Sequence, residues 1–118
     1  MINQTIIDAL ASLDYPVILQ GSYAPEEEIP DTFITFQTMT SDTQESFDNE
    51  EALTAWEINI TIYSRDPEAL SELATSTRDL LKAAEFIPQG KGFDMISNEA
   101  GFLGWGQNYK YLTKENII

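Results

Sequence analysis

The chain has 118 residues, which is enough for a single domain over 1–118 and too few for two independent hydrophobic cores. It contains neither cysteine nor histidine, which excludes disulfides, zinc sites built on those residues and catalytic triads that need a histidine base. Its 20 acidic and 6 basic residues give a net charge of −14, which argues against specific nucleic-acid binding through a basic patch.

The acidic charge is concentrated in the first half of the chain. Residues 1–64 hold 12 of the 20 acids and no base, whereas residues 65–118 hold the other 8 acids and all 6 bases. Three interpretations stay open: a solvated surface, a channel wall past which DNA slides without adhering, and a surface that imitates DNA. No signal sequence or membrane-spanning run is recognisable, so we expect a cytoplasmic protein.

The first part of the chain predicts a helix, two strands and a long loop. Apolar residues recur at helical spacing over 3–13, and a short strand is predicted at 17–20 before an acidic loop bounded by prolines. Residues 32–39 alternate as a strand with apolar side chains on both faces. The polar, acidic and glycine-free segment 40–51 is predicted to be a projecting hairpin loop.

The strongest pattern is a strand that leads directly into a helix. Residues 53–64 alternate with a period of two, which predicts a half-buried strand. Its apolar face consists of Trp56, Ile58, Ile60 and Ile62. Asp66 is predicted to cap a long helix that begins at Pro67 and keeps its apolar spacing up to Ala84.

The remaining residues predict two more strands. A tight turn is predicted at 89–92, a strand around Phe93 and Met95, a glycine-rich hairpin at 98–106 and a last strand at 107–112. The order α-β-β-β-α-β-β predicts an α+β fold: a mainly antiparallel sheet with the long helix and the short N-terminal helix packed on it. Trp105, on the glycine-rich turn, is either a core residue or an interface residue.

Sequence motifs for chemistry are not found. Residues 42–51 lack the order of a calcium-binding loop, and 90–92 lacks the spacing of a phosphate-binding loop. The carboxylates cluster in predicted loops, without the apolar neighbours that would raise a pKa. We therefore expect no enzymatic activity, no metal and no cofactor; a carboxylate pair of the glycosidase kind is the enzymatic alternative.

Several short motifs stand in a recognisable order between residues 30 and 112. They lie at 30–36, 47–49, 56–64, 80–87, 89–94 and 104–106. Together they resemble the small tail-terminator, or tail-completion, proteins of tailed bacteriophages and prophages. Two positions depart from that family's pattern: Glu85, where such proteins often have glycine, and Trp105, where a basic residue is more usual.

The resemblance implies a sheet flanked by helices, a projecting hairpin, and a ring of six subunits that caps the tail tube and meets the neck. The implied partners are further copies of the chain, the tail-tube protein and a neck or head-completion protein, with no membrane. The implied location is the virion tail, after assembly in the host cytoplasm. The candidate interaction residues are Asp42, Glu45, Phe47, Asp48, Asn49, Glu50, Glu51 and Trp105.

The expected function is therefore that of a non-enzymatic virion structural protein, a tail terminator. A neck or head-closure subunit is the alternative within the same class. From another class, an acidic inhibitor that imitates DNA fits the charge and predicts a monomer or dimer instead of a ring. A hydrolase of unknown type is the third alternative.

Overall fold

Two α-helices and five strands make up the described part of the chain, which comprises residues 2–19, 31–45, 52–95 and 101–113 of a computed structural model. In chain order these are α1 (Ile2–Leu10), β1 (Val17–Leu19), β2 (Thr32–Glu45), β3 (Ala52–Ser64), α2 (Pro67–Ala83), β4 (Ile87–Met95) and β5 (Leu103–Thr113). The predicted α+β class is confirmed. A 3₁₀ helix at Ala11–Leu13, between α1 and β1, is added to the predicted order.

The sheet is mixed, with the strand order β1-β2-β3-β5-β4. Only β1 runs parallel to its neighbour, since Val17 lies opposite Ile34 and Leu19 opposite Phe36. The other three pairings are antiparallel. β5 therefore lies between β3 and β4, and β3 is the central strand.

Both helices pack on the same face of the sheet, which we call the helix face. On β3 its members Ile58, Ile60 and Ile62 are buried, as predicted, while Trp56 is only half-buried. The other buried members of this core are Ile2, Ile6, Leu10, Ile34, Phe36, Leu73, Leu81, Phe86 and Tyr109. The alternation along β3 thus fixes which side of the sheet the helices cover.

Helix α2 begins where the sequence predicts. The Asp66 carboxylate accepts a hydrogen bond from the Glu68 backbone N–H at 3.0 Å, and Pro67 occupies the first helical position. At the other end the Glu85 N–H donates to the Lys82 carbonyl (3.0 Å), and the Phe86 N–H donates to the Leu81 carbonyl (2.9 Å). These two bonds define a Schellman motif, in which Glu85 takes a left-handed conformation with φ 72°.

Replacing Glu85 with glycine is expected to stabilise the protein by about 0.5–1 kcal/mol, because glycine adopts a positive φ without steric cost. Urea unfolding followed by circular dichroism measures the change. Glu85→Gln separates the conformational effect from the removal of a negative charge near the helix C-terminus. If Glu85→Gln stabilises as much as Glu85→Gly, strain at this position is not the cause.

Two glycine-rich segments form strands where turns were predicted. Residues 89–92 belong to β4, whose register with β5 shifts between Gln89 and Phe93. Residues 104–106 lie inside β5, while residues 98–100 of the predicted hairpin fall outside the described part. A Cβ at Gly106 would stand 2.6 Å from the Phe93 ring, so this glycine permits close packing between strands.

Candidate functional site

β2 continues as a strand through residue 45, into the segment that was predicted to be the interaction loop. Asp42 pairs with Ala55 and Glu45 pairs with Ala52 across an antiparallel hairpin. The prediction that the loop starts at Thr40 is therefore wrong, since polar residues with a regular cross-strand register extend the ladder. Five of the candidate interaction residues lie outside the described residues, namely Phe47, Asp48, Asn49, Glu50 and Glu51.

Trp105 lies far from this hairpin end. It is on β5, opposite Ile62, and its side chain is half-buried on the helix face. Ile62 and Ala55 are seven positions apart on β3, which corresponds to about 23 Å at 3.3 Å per residue. The structure therefore does not bring Trp105 together with Asp42 or Glu45, and it places Trp105 within a strand instead of on a turn.

One edge of β2 is open among the described residues. β1 accompanies β2 only as far as Phe36, so no described strand pairs with residues 37–45 on that side. The Arg65 N–H donates to the Asp31 carbonyl (3.1 Å), so the backbone groups of Arg65, and of every second residue of β3 before it, point toward β2. Thr54 lies between two such residues, and its backbone groups therefore point away from β2. The N–H of Thr43, which lies opposite Thr54, accordingly points outward from the hairpin.

The opposite edge of the sheet is formed by β4. In the described part of the chain β4 pairs only with β5, and its bulge contains Gly90 at φ 77° and Gly92 at φ 103°. The Gln107 side-chain amide donates to the carbonyls of Gln89 (2.9 Å) and Gly90 (3.2 Å), which holds the bulge against β5. The exposed Lys91 side chain lies between the two glycines on this edge.

The face of the sheet away from the helices carries a chain of buried polar side chains. The Asn59 side-chain amide donates to the Asn108 side-chain oxygen (2.9 Å), and the Thr61 hydroxyl donates to the Asn59 side-chain oxygen (2.6 Å). The Thr35 hydroxyl donates to the Thr61 backbone carbonyl at 3.4 Å. These bonds join β2, β3 and β5 and satisfy polar groups that would be costly to bury unpaired.

An aromatic cluster closes one end of the same face. The Phe33 ring stacks on Tyr63 with centroids 5.1 Å apart and meets Phe102 edge-on at 5.7 Å. The Arg65 guanidinium lies 4.5 Å above the Phe102 ring and pairs with Asp31 at 3.2 Å. These contacts fix the junction between β2, β3 and the start of β5.

Large apolar side chains are also exposed on the sheet. Ile87 and Phe93 of β4 and Leu112 of β5 belong to the face away from the helices, by their register with β5 and β3. Met39 is exposed at the register shift of β2. Exposed apolar groups near both sheet edges are typical of surfaces that contact another protein.

The sequence pattern does not predict the polar network or the sheet edges. The alternation along β3 places Asn59 and Thr61 on the face opposite the core, but their hydrogen bonds depend on β5 lying beside β3. Nothing in the local pattern predicts that pairing, because the connection between these strands contains α2 and β4. The part of β2 beyond Phe36 that lacks a described partner likewise depends on how far β1 pairs with β2, which has no local sequence signal.

Within the described ranges, no group of three or more acidic residues is arranged to hold a metal ion. No helix in that part of the chain is long and apolar enough to cross a membrane. No protein-family model and no curated protein sequence matches this chain.

Proposed function

We propose that this protein is a virion structural subunit of the tail-terminator type, which assembles as a ring and caps the tail tube. The proposed partners are further copies of the chain, the tail-tube protein and a neck or head-completion protein. Its role is structural and not catalytic. The support from the sequence is the resemblance of its ordered motifs to those of tail-completion proteins, and the support from the fold is the arrangement of its sheet edges.

The observation that carries the proposal is that the sheet has two edges, at opposite sides, with which no described strand pairs. One edge is the distal part of β2, residues 41–45, and the other is β4. A ring needs a head-to-tail interface, in which one surface of a subunit contacts a different surface of the next. Pairing the β2 edge of one subunit with the β4 edge of its neighbour supplies such an interface through backbone hydrogen bonds.

The charge distribution agrees with this contact. The distal part of β2, residues 41–45, contains Asp42 and Glu45 and belongs to the half of the chain without a base. β4 carries one base, Lys91, and one acid, Asp94, and belongs to the half that holds all six bases. A head-to-tail contact therefore places acidic residues of one subunit beside the less acidic half of the next, which lessens the repulsion between subunits of charge −14.

The test of the interface is Thr43→Pro compared with Thr43→Ala. Proline removes the outward N–H of β2 and leaves the bonds between β2 and β3 intact, whereas alanine keeps that N–H. In Thr43→Pro each interface of a closed ring then lacks one hydrogen bond of about 1 kcal/mol. The protein concentration needed to form rings is therefore expected to rise about tenfold or more. Size exclusion with light scattering, over a range of protein and salt concentrations, measures the mass.

Thr43→Ala is expected to assemble as the wild-type protein does, and thermal unfolding of both variants checks that the domain is folded. Wild-type protein that stays monomeric at every concentration, both alone and on tail tubes, contradicts the proposal. So does a ring that Thr43→Pro leaves unchanged, since that ring uses a different interface.

The capping role is tested with the tail-tube protein of the same phage. A terminator stops tube growth, so tubes assembled with this protein are expected to have a narrow length distribution by electron microscopy. Tubes that grow without limit, although the ring binds a neck protein, favour the neck or head-closure alternative.

A further inference from the structure

A cleft of about 400 Å³ lies between α2 and the helix face of the sheet. Its apolar wall includes Ile62 of β3, Leu70 and Ala74 of α2, and the indole ring of Trp105 on β5. Small-molecule sites in proteins are typically clefts of this size, mainly apolar and with a few polar groups. Its lining reaches the β4 edge of the sheet at Lys91.

The charged residues that line the cleft are both cations. They are Arg78 of α2 and Lys91 of the β4 bulge, and no acidic residue contributes to the lining. Neither cation forms an ion pair with a described residue; the Arg65–Asp31 pair lies outside the lining. Two cations without a carboxylate partner among the described residues are unusual on one concave surface of a chain of net charge −14.

A second, independent feature points to a polar ligand. Thr77 lines the cleft on α2 and is 1% exposed, yet its hydroxyl has no hydrogen-bond partner among the residues that the structure describes. Buried hydroxyls are normally paired, and a valine would fill the same space without an unmet polar atom. Tyr109 also lines the cleft; its burial raises the pKa of its phenol to about 12, with Arg78 lowering and Asp79 raising it, so it stays a neutral hydrogen-bonding group.

We propose that this cleft binds a small organic anion that has a carboxylate head and an apolar body. Arg78 and Lys91 hold the carboxylate, because two cations can share its charge from different elements of the fold. The apolar body lies against Leu70, Ile62 and Trp105. This binding and the proposed ring interface share Lys91, whereas Arg78 lies on α2, so Arg78→Gln tests the cleft without a change at the β4 edge.

The probe is octanoate, compared with 1-octanol, which has the same chain length and no charge. Trp105 reports occupancy in a Trp56→Phe background, where it is the only tryptophan. That background change breaks no hydrogen bond within the described part, because the Trp56 indole N–H has no partner there. Measurements at about 0.15 M salt screen the distant acidic residues, since the Debye length there is about 8 Å.

Octanoate is expected to change the Trp105 emission saturably and to bind about tenfold or more tightly than 1-octanol. Arg78→Gln and Lys91→Gln are each expected to weaken octanoate binding about five- to tenfold and to leave octanol binding unchanged. Lys82→Gln is the matched control: it removes the same charge from an exposed position of α2 outside the lining, and its octanoate affinity should equal that of the wild type.

Thr77→Val separates binding from stability. We expect it to weaken octanoate binding while the urea midpoint stays equal or rises, because an unmet hydroxyl is removed without a change of shape. Equal affinities for octanoate and octanol overturn the proposal, as does octanoate binding that Arg78→Gln and Lys91→Gln leave intact. The absence of any saturable change in Trp105 emission overturns it as well.

Discussion

Replacing Ile58 with alanine is expected to lower the free energy of unfolding by about 2–5 kcal/mol. Ile58 is fully buried on the central strand, where it pairs with Thr38 of β2 on one side and Tyr109 of β5 on the other. Removing three carbon atoms there leaves a cavity that the flanking strands cannot close without breaking their register. The loss is a large share of the 5–15 kcal/mol typical of a domain of this size.

The matched control is Ile87→Ala, the same substitution on β4, where the side chain is 49% exposed. Both changes lower strand propensity, so the difference between them isolates burial. We expect Ile87→Ala to cost less than about 1 kcal/mol. Urea unfolding with a common slope measures both variants, and equal losses at the two positions would contradict the central place of β3 in the core.

Gly92→Ala is the second change with a large expected effect, about 2–5 kcal/mol of destabilisation. Gly92 has φ 103°, a region that residues with a side chain avoid at a cost of about 1–3 kcal/mol. In addition, a Cβ at this position would lie 2.5 Å from the Trp105 indole nitrogen. Forcing the half-buried ring away adds about 1–3 kcal/mol of overpacking.

Gly90→Ala is the control for the backbone term, because Gly90 has φ 77° and a Cβ there meets nothing within 4 Å. Gly90→Ala is therefore expected to lower the free energy of unfolding only by the cost of the positive φ, about 1–3 kcal/mol. Trp105→Leu should then recover much of the loss in Gly92→Ala and little of the loss in Gly90→Ala, which a double-mutant cycle measures. If the two glycine variants are equally unstable, the indole contact carries no energy.

The sequence predicts those parts of the fold whose signals are local. Asp66 followed by Pro67 marks the start of α2, and the strict alternation from Trp56 to Ile62 marks both the strand and its buried face. In each case one side chain or one period decides the outcome within a few residues. The α+β class follows from the order of such elements.

Segments governed by pairing between distant residues were not predicted. Residues 40–45 are polar enough for a loop, yet they form a strand because residues 52–57 lie opposite in register. Gly92 and Gly106 suggested turns, whereas both permit an aromatic ring to lie against a strand backbone. The same glycine signal fits a turn and a close approach, and only the neighbouring strand distinguishes them.

The candidate sites depend even more on the tertiary arrangement. Arg78 and Lys91 are 13 positions apart in the chain and line one cleft only because α2 packs over the β4–β5 part of the sheet. The edge of β2 beyond Phe36 has no described partner, because the described pairing with β1 ends there. Neither feature has a local sequence signal, since each belongs to a surface made by elements that are not neighbours in sequence.

The position of β5 between β3 and β4 also determines the order in which the sheet can form. The hairpin of β2 and β3 closes over a short connection, but β4 has no described partner until β5 exists, and Thr54 pairs with Thr113, 59 positions away. Pairings of such long sequence separation are slow, because the loop-closure entropy is lost before the contacts form. During synthesis the edge of β3 that pairs with β5 therefore stays without that partner until the last strand has been made.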